Sequence, residues 1–574
     1  MEKRWELRNT TGASPELTEM LQQAHPLVAA ILAARGCRTA AEFSSFLNPA
    51  LSDMLDPLLL HGMESAVARL LEARRRQEDI CIYGDYDVDG ITGTALLVSF
   101  LRETGFCCRH FIPNRFDDGY GLNTPSIETI ITQGSTLIVS VDCGITAVEQ
   151  AVLCRQRGVD LIIVDHHQPG DMLPDACAVI NPLQPGCAYP FKSLAGVGVA
   201  FNLLIALRSA LRADGAFDGR AAPDLRQWLD LVALGTIADV VPLLDQNRIY
   251  VFHGLKKLAA SGRPGIQALK RVAGIGDGDV SCGQVGFRLA PRLNAAGRME
   301  SAVPGVDLLM SEQPLECQRI ADELDAANAE RQAIERRILE EAVARVESRG
   351  ENSKRRSIVL ASADWHQGVI GIVASRLVER YHRPTILISL TADGLGKGSG
   401  RSIPGFHLLE ALSPCARYLE RFGGHRYAAG IGLKAENLDA FTKAFETEAG
   451  IRLTDADLQP KLTIDAEVQP GEVTKELAMD LKRLEPFGMG NPEPVLMLSR
   501  MTVQERRPVG DGHLRLRLSR DRCTFTAIAF NLAGREISET VDIAFYPEMN
   551  VWNGTSSLQL RVKDFRPSRS SHAA

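Results

Sequence analysis

At 574 residues the chain is too long for one hydrophobic core, and at roughly 150 residues per domain it predicts three or four domains. The formal charge of −7 gives no global sign of nucleic-acid binding, yet it is compatible with a recessed basic channel inside an acidic exterior. No apolar run approaches the ~18 residues of a membrane span, and twelve scattered cysteines without a C-x-x-C pair exclude a thiolate zinc site and predict core thiols in a reducing, cytoplasmic setting.

The first residues, MEKRWELRNTTGASPELTEM, are polar and carry acids, the pattern of neither a secretory nor an organellar leader. From 79 to 167 the chain alternates the strand DICIYG, the helical ITGTALLVSFLRETG, the strand TLIVSVD, the helical TAVEQAVLCRQRG and the strand VDLIIVDHH. Near-continuous apolar strands separated by helices predict a parallel sheet buried on both faces. Residues 193–310 read as mainly helical. Ile320, Leu324, Ala327, Ile334, Ile338 and Ala342 recur at helical spacing and predict a long helix over 313–348, which SRGENSKRRS ends. Residues 358–450 resume α/β alternation, and from about 460 onward short strands such as HLRLRLS and SSLQLRVKDF predict a small barrel or sandwich. The expected division is 1–312, a connecting helix 313–350, a second α/β unit 351–455 and a β unit 456–574.

Asp85, Asp87 and Asp89 occupy alternate positions before Gly90 in YGDYDVDGITG. An EF-hand loop opens the same way, but its twelfth position needs a bidentate Glu and here holds Leu96, and an EF-hand follows a helix where this segment follows a strand. Asp142 ends the second strand, and Asp165, His166 and His167 end the third. Taken singly, an acid at a strand end is ordinarily a helix cap. Open parallel sheets bind ligands at the carboxyl ends of their strands, so these groups gather in one crevice. Asp239, a lone acid in the apolar ALGTIADVVPL, is a further contributor. Carboxylates this close ionise together only when a cation holds them. Mixed oxygen and nitrogen donors fit two ions about 3.5 to 4 Å apart, Mn²⁺ or Mg²⁺, and the chemistry such a pair performs is phosphoester hydrolysis.

GDYDVDG, VDCG, DHH and GTIADVVPL resemble the four motifs of the DHH phosphoesterases, in the order found in the RecJ single-strand-specific exonucleases. Further segments resemble that family too: HPLVAAILAARGCRTAAEFSSFLNP, FIPNRFDDGYGL, RLNAAGRM, WHQGVIGIVASRL, GKGSGRS, GGHRYAAG and LEPFGMGNPEPV. The resemblance implies a parallel-sheet DHH domain, a DHH-associated domain and an OB-type barrel. It implies 5′-to-3′ hydrolysis of single-stranded DNA to mononucleotides in repair and recombination, by a monomer working with a single-strand-binding protein and a RecQ-type helicase. Asp85, Asp87, Asp142, His166 and Asp239 are the implied ligands, with Asp142 bridging and His167 facing the scissile phosphate. Tyr83 stands where many relatives have a His, which removes a ligand from the first ion. Asp89 either supports the site from behind, as part of the catalytic set, or caps the helix that follows.

GKGSGRS reads as a glycine loop whose N–H groups, Ser399 and Ser402 hydroxyls and Arg401 fork suit a phosphate. Gly424 and His425 offer a second close approach. Arg115, Arg292 and Arg298 lie in segments resembling the strand path, and Arg515 and Arg517 share one strand face of the barrel. The competing readings are a DHH phosphoesterase for a small substrate such as pyrophosphate or a cyclic dinucleotide, which the trailing barrel disfavours, and a non-catalytic scaffold, which intact acids at every motif disfavour.

Overall fold

Strands Cys107–Phe111, Asp79–Gly84, Leu137–Val141, Asp160–Val164 and Ala178–Ile180 lie side by side in that order as an all-parallel sheet. The structure is a computed structural model describing residues 2–8, 25–115, 119–348, 355–552 and 555–568. Most of the polar N-terminal stretch, the centre of FIPNRFDDGYGL and most of the expected boundary SRGENSKRRS lie outside the described residues. Ile80, Ile82, Val139, Val141, Ile162 and Val164 pack on one side of the sheet. Cys81, Tyr83, Ile138, Leu161 and Ile163 pack on the other. Alternate side chains thus meet separate cores, which is why the strands read as unbroken apolar runs.

Helix Gly196–Ala213 departs from the expectation about apolar runs: its 18 residues, with mean hydropathy 1.3, reach the length and composition of a membrane span. Most of it is buried in the first core, and a helix covered on all sides is apolar all round. Pro314–Ser348 is the expected long helix. Its first half, through Cys317, Ile320 and Leu324, packs on the first unit, and Ile338, Ala342 and Val346 pack on the second.

The second unit orders its strands Arg421–Gly424, Ala428–Lys434, Leu395–Arg401, Thr385–Leu390 and Ile358–Ser362, with only the last pair parallel. GKGSGRS is therefore the middle strand of a sheet and not a loop. Its glycines serve packing: β-carbons on Gly396, Gly398 and Gly400 would come within 2.9 Å of Ile388, Ile431 and Leu408 side chains. Their backbone groups belong to the sheet ladder, leaving Lys397, Ser399 and Arg401 on the opposite face by the two-residue period.

The C-terminal strands close into a barrel through pairing of Leu496–Val509 with both His513–Arg520 and Thr540–Trp552. Its core includes Val28, Ile31, Leu32 and Phe43 from helices Pro26–Ala34 and Ala40–Leu47, so these N-terminal helices share a core with the barrel and not with the first sheet. Arg248 ties the parts together. Its buried guanidinium lies 3.8 Å from the centre of the Phe46 ring and donates to the carbonyls of Phe46 at 2.9 Å, Leu484 at 3.1 Å and Glu485 at 2.6 Å.

Candidate metal centre

Register places the acids. Gly84 pairs with Val141, Val141 with Val164 and Val164 with Ile180, so Asp85, Asp142 and Asp165 stand in a row one residue beyond. The ladder continues through them, with Asp85 N–H donating to Val141 O at 3.2 Å, Asp142 N–H to Val164 O at 2.9 Å and Asp165 N–H to Ile180 O at 3.0 Å. Asp142 takes a left-handed φ of 63°, a strained state for a non-glycine residue that persists only where its surroundings fix it.

Ligand atoms of Asp85, Asp87 and Asp142 lie within 4.8 Å of one another, as do those of Asp142, His166 and His167, and those of Asp89, His166 and Asp239. Asp142 and His166 each belong to two of these groups. Asp85 Oδ1, Asp142 Oδ1, His166 Nε2 and Asp239 Oδ2 are buried without a hydrogen-bond partner, although unpaired buried polar atoms are costly. Burial, then the neighbouring Asp87, pushes Asp85 well above the usual carboxylate range. Burial and the charges of Asp89 and Asp87 do the same to Asp142 and Asp239. Burial and His167 push His166 down to about 4, leaving the imidazole neutral, the form that binds metal. Four orphaned donor atoms from four separated motifs fit a pair of divalent cations.

Asp165 stands behind this set. Burial opposes its ionisation, but hydrogen bonds from His167 Nδ1 at 2.8 Å and from the N–H groups of His166 at 2.7 Å and Ile145 at 2.9 Å hold it low. Against its own burial, that carboxylate raises His167. Tyr120, missed in the sequence, places its hydroxyl 3.1 Å from His167 Nδ1. Asp89 stands behind the cluster: its oxygens accept from Gly196 N–H at 2.6 Å and Val197 N–H at 2.8 Å. It caps helix Gly196–Ala213 from behind His166, which it approaches at 3.8 Å, and the helix that follows it is capped by Asp87. Burial and Asp87 push Asp89 up to about 7. Tyr83 turns away from the cluster, its hydroxyl donating to Gly121 O at 3.0 Å.

An arginine group faces the acids. Burial first, then the like charges of Arg115, Arg401 and Arg331, lower Arg298 to about 10, with Asp87 acting in the opposite sense. Burial and Arg115 also lower Arg401. Arg115 lies 4.9 Å from the centre of the Tyr86 ring. No carboxylate pairs with Arg298, Arg115 or Arg401 among the described residues. Arg401 donates to Ser399 Oγ at 3.1 Å, and Gly371 makes room for both: a β-carbon there would sit 2.8 Å from Ser399 Oγ. His425 is exposed and near enough to His167 for that charge, after burial, to lower it.

Three of the expected contact residues have structural partners or roles of their own. Arg292 is spent on fold: it pairs with Asp325 at 2.8 Å and donates to Arg288 O at 2.6 Å, fastening helix Ala290–Met299 to the long helix. Ser402 donates to Phe406 O at 2.8 Å within a turn. Gly424 has φ 141° and its β-carbon would meet Ala428 O at 2.4 Å, so the hairpin requires glycine there. Arg515 and Arg517 are exposed on one barrel face, with Arg507 opposite Arg515.

Carboxylates and an imidazole at parallel strand ends, faced by Arg115 and Arg298 of the same unit and Arg401 of the second α/β unit, none with a carboxylate partner among the described residues, define a phosphoesterase of the DHH class. Residues 79–236 match the DHH family, N-terminal domain, residues 355–450 the DHHA1 domain and residues 464–564 the RecJ OB domain. The single-stranded-DNA-specific exonuclease RecJ of Bacillus subtilis is 40% identical over 98% of this chain and 70% of its own length. That of Escherichia coli is 39% identical over 97% and 96%. The crystal structure of RecJ from Thermus thermophilus in complex with Mn²⁺ superposes with a TM-score of 0.84 at 32% identity, covering 99% of this chain and 80% of that one. The chain belongs to the RecJ family of single-stranded-DNA-specific exonucleases.

Proposed function

We propose that the protein is a metal-dependent exonuclease that degrades single-stranded DNA from the 5′ end to mononucleotides, in DNA repair and recombination. The observation that carries this reading is the pairing of four orphaned ligand atoms, three beyond strand ends and one, of Asp239, at a helix end, with Arg115, Arg298 and Arg401, which lack carboxylate partners among the described residues. Asp85, Asp87, Asp142, His166 and Asp239 would hold two divalent ions, with Asp142 between them; when bound, the ions supply Lewis acidity for in-line hydrolysis at phosphorus. Mn²⁺ and Mg²⁺ both suit this donor set, and T. thermophilus RecJ has been crystallised with each.

The chain's own residues do the rest. Asp165 fixes the His167 ring through Nδ1, which directs Nε2, now 3.2 Å from the Tyr120 hydroxyl, toward a scissile phosphate oxygen once that hydroxyl gives way. Arg401, Ser399, Arg298 and Arg115 suit the terminal phosphate, because guanidinium forks bind phosphate oxygens in pairs. A 5′ phosphate seated there sets the distance to the first phosphodiester, which makes cleavage exonucleolytic and directional. The barrel, with its arginine face, extends the strand-binding surface. Cytoplasmic action is supported by twelve free cysteines. A single-strand-binding protein and a RecQ-type helicase are partners by family resemblance, and the same resemblance favours a monomer.

The test is a Mn²⁺ reaction with single-stranded DNA labelled at one end. Release of the 5′ label as a mononucleotide before the 3′ label is expected; first loss of the 3′ label, or cleavage of small phosphoesters only, would overturn the reading.

A further inference from the structure

Val285–Leu289 forms a π-helical turn just ahead of helix Ala290–Met299. Such turns insert a residue into a helix, cost hydrogen-bond geometry and recur at functional sites. This one projects Phe287, whose ring is left 82% exposed, a poor place for a large apolar side chain unless something covers it.

Phe287 borders two cavities. The inner one, of about 510 Å³, is lined by Ala238, the chain neighbour of Asp239, by Asn294 and Arg298, and by residues of the long helix and of helix Ile370–Tyr381. The outer one, of about 1300 Å³, spreads from Phe287 to Lys482, Arg561 and Lys563 of the C-terminal unit. The inner walls carry Arg298, Arg331, Arg336 and Arg376 against Glu335 as the one acid. Arg331 and Arg376 share that acid; Arg336 has no carboxylate partner among the described residues. The excess positive charge calls for a polyanion, and an apolar peptide seated there would leave it uncompensated.

We propose that Phe287 is a stacking platform for a base of the substrate strand where the strand passes between the barrel side and the metal centre. This rests on the exonuclease reading above. Aromatic faces hold single strands without regard to sequence because every base has a π face, while arginines hold the backbone beside it. The π turn then has a purpose: it lifts one ring out of the helix surface to the junction of the arginine-rich inner cavity with the outer one, whose Lys256, Lys482, Arg483, Arg561 and Lys563 stand among Asp279, Glu485 and Glu493.

The experiment compares wild type, Phe287→Ala and Phe287→Trp on a 5′-phosphorylated 20-mer and on a 5′-phosphorylated dinucleotide, which ends at the metal centre. With Phe287→Ala the ratio of kcat/KM for the 20-mer to that for the dinucleotide is expected to fall on the order of tenfold, mainly through KM, and Phe287→Trp restores it. In the metal-free protein, a 2-aminopurine placed at successive positions of the 20-mer shows quenching at one position in wild type and Phe287→Trp, and loses it in Phe287→Ala. An unchanged ratio and unchanged quenching would overturn the proposal and leave Phe287 as a contact for a protein partner. Equal losses on both substrates would overturn it as a general folding defect. Wild-type protein inert on the 20-mer would instead remove the exonuclease reading, and this proposal with it.

Discussion

A β-carbon on Gly196 would lie 2.7 Å from Asp142 Oδ1. Helix Gly196–Ala213 reaches the centre so closely that its first residue has room for no side chain, and its first two N–H groups go to Asp89. The position of the Asp142 carboxylate is therefore set from two sides, by its own left-handed backbone and by the helix in front of it.

Gly196→Ala should push the Asp142 carboxylate aside and cost about 1 to 3 kcal/mol of stability, the usual penalty for overpacking. Turnover should fall at least about tenfold, since ångström misplacement of a catalytic group has that scale of effect. Mn²⁺ titration and thermal melting check both; normal metal affinity and turnover would show that Asp142 has room to move.

Asp142→Asn should abolish hydrolysis while the fold survives. A bound ion stabilises by mass action, about 2.7 kcal/mol at a hundredfold excess over Kd, and the variant should lose most of that gain. Without metal it should melt above wild type, because one of several buried like charges is gone. Calorimetry with Mn²⁺ and with chelator separates these effects. Near-normal turnover in the folded variant would sink the two-ion arrangement.

Ca²⁺ should occupy the centre and inhibit. It is larger than Mn²⁺ and tolerates loose coordination, so it does not align water and phosphorus for attack. Adding Ca²⁺ to a Mn²⁺ reaction should lower the rate at constant strand binding; Ca²⁺-driven cleavage would contradict this.

Arg401→Ala should weaken binding of 5′-phosphorylated strands by roughly 1.5 to 3 kcal/mol, the scale of a charge-assisted hydrogen bond, and affect 5′-hydroxyl strands much less. Equal penalties in a binding titration would make Arg401 a general backbone contact.

Arg292→Ala should behave oppositely. Its partners are Asp325 and backbone carbonyls, so melting temperature should drop while KM for single strands stays put. A raised KM with unchanged stability would return Arg292 to the strand path.

The acids and His166 that the structure brings together were legible because all but Asp239 follow a strand whose apolar run announces itself, and register does the gathering; Asp239 ends an apolar helix instead. The glycine strand misled because G-K-G-S-G-R reads equally as a loop and as a two-residue alternation. Only the facing Ile388, Ile431 and Leu408, distant in sequence, decide between them. Arg292 and Arg298 are six residues apart in one helix, yet one meets Asp325 and the other the arginine group; helix azimuth, not motif, separates them. Gly196 left a faint signal in AGVGVA, since two glycines at a helix start need a reason. Tyr120 left none, because its partner His167 is 47 residues away.

The N-terminal helices that complete the barrel core have a consequence for synthesis. Phe43 and Ile31 leave the ribosome more than 400 residues before Leu496 and Phe545, the side chains they share a core with. At about 5 to 20 residues per second the wait is roughly 20 seconds or longer. Through that interval the apolar face of PLVAAILAA has no native cover, and the helices cannot be counted as a folding unit by themselves. Completion of this core therefore waits on strands Leu496–Val509 and Thr540–Trp552, and a nascent chain stalled after the second α/β unit would present the apolar faces of these two helices to any holdase that binds exposed apolar segments.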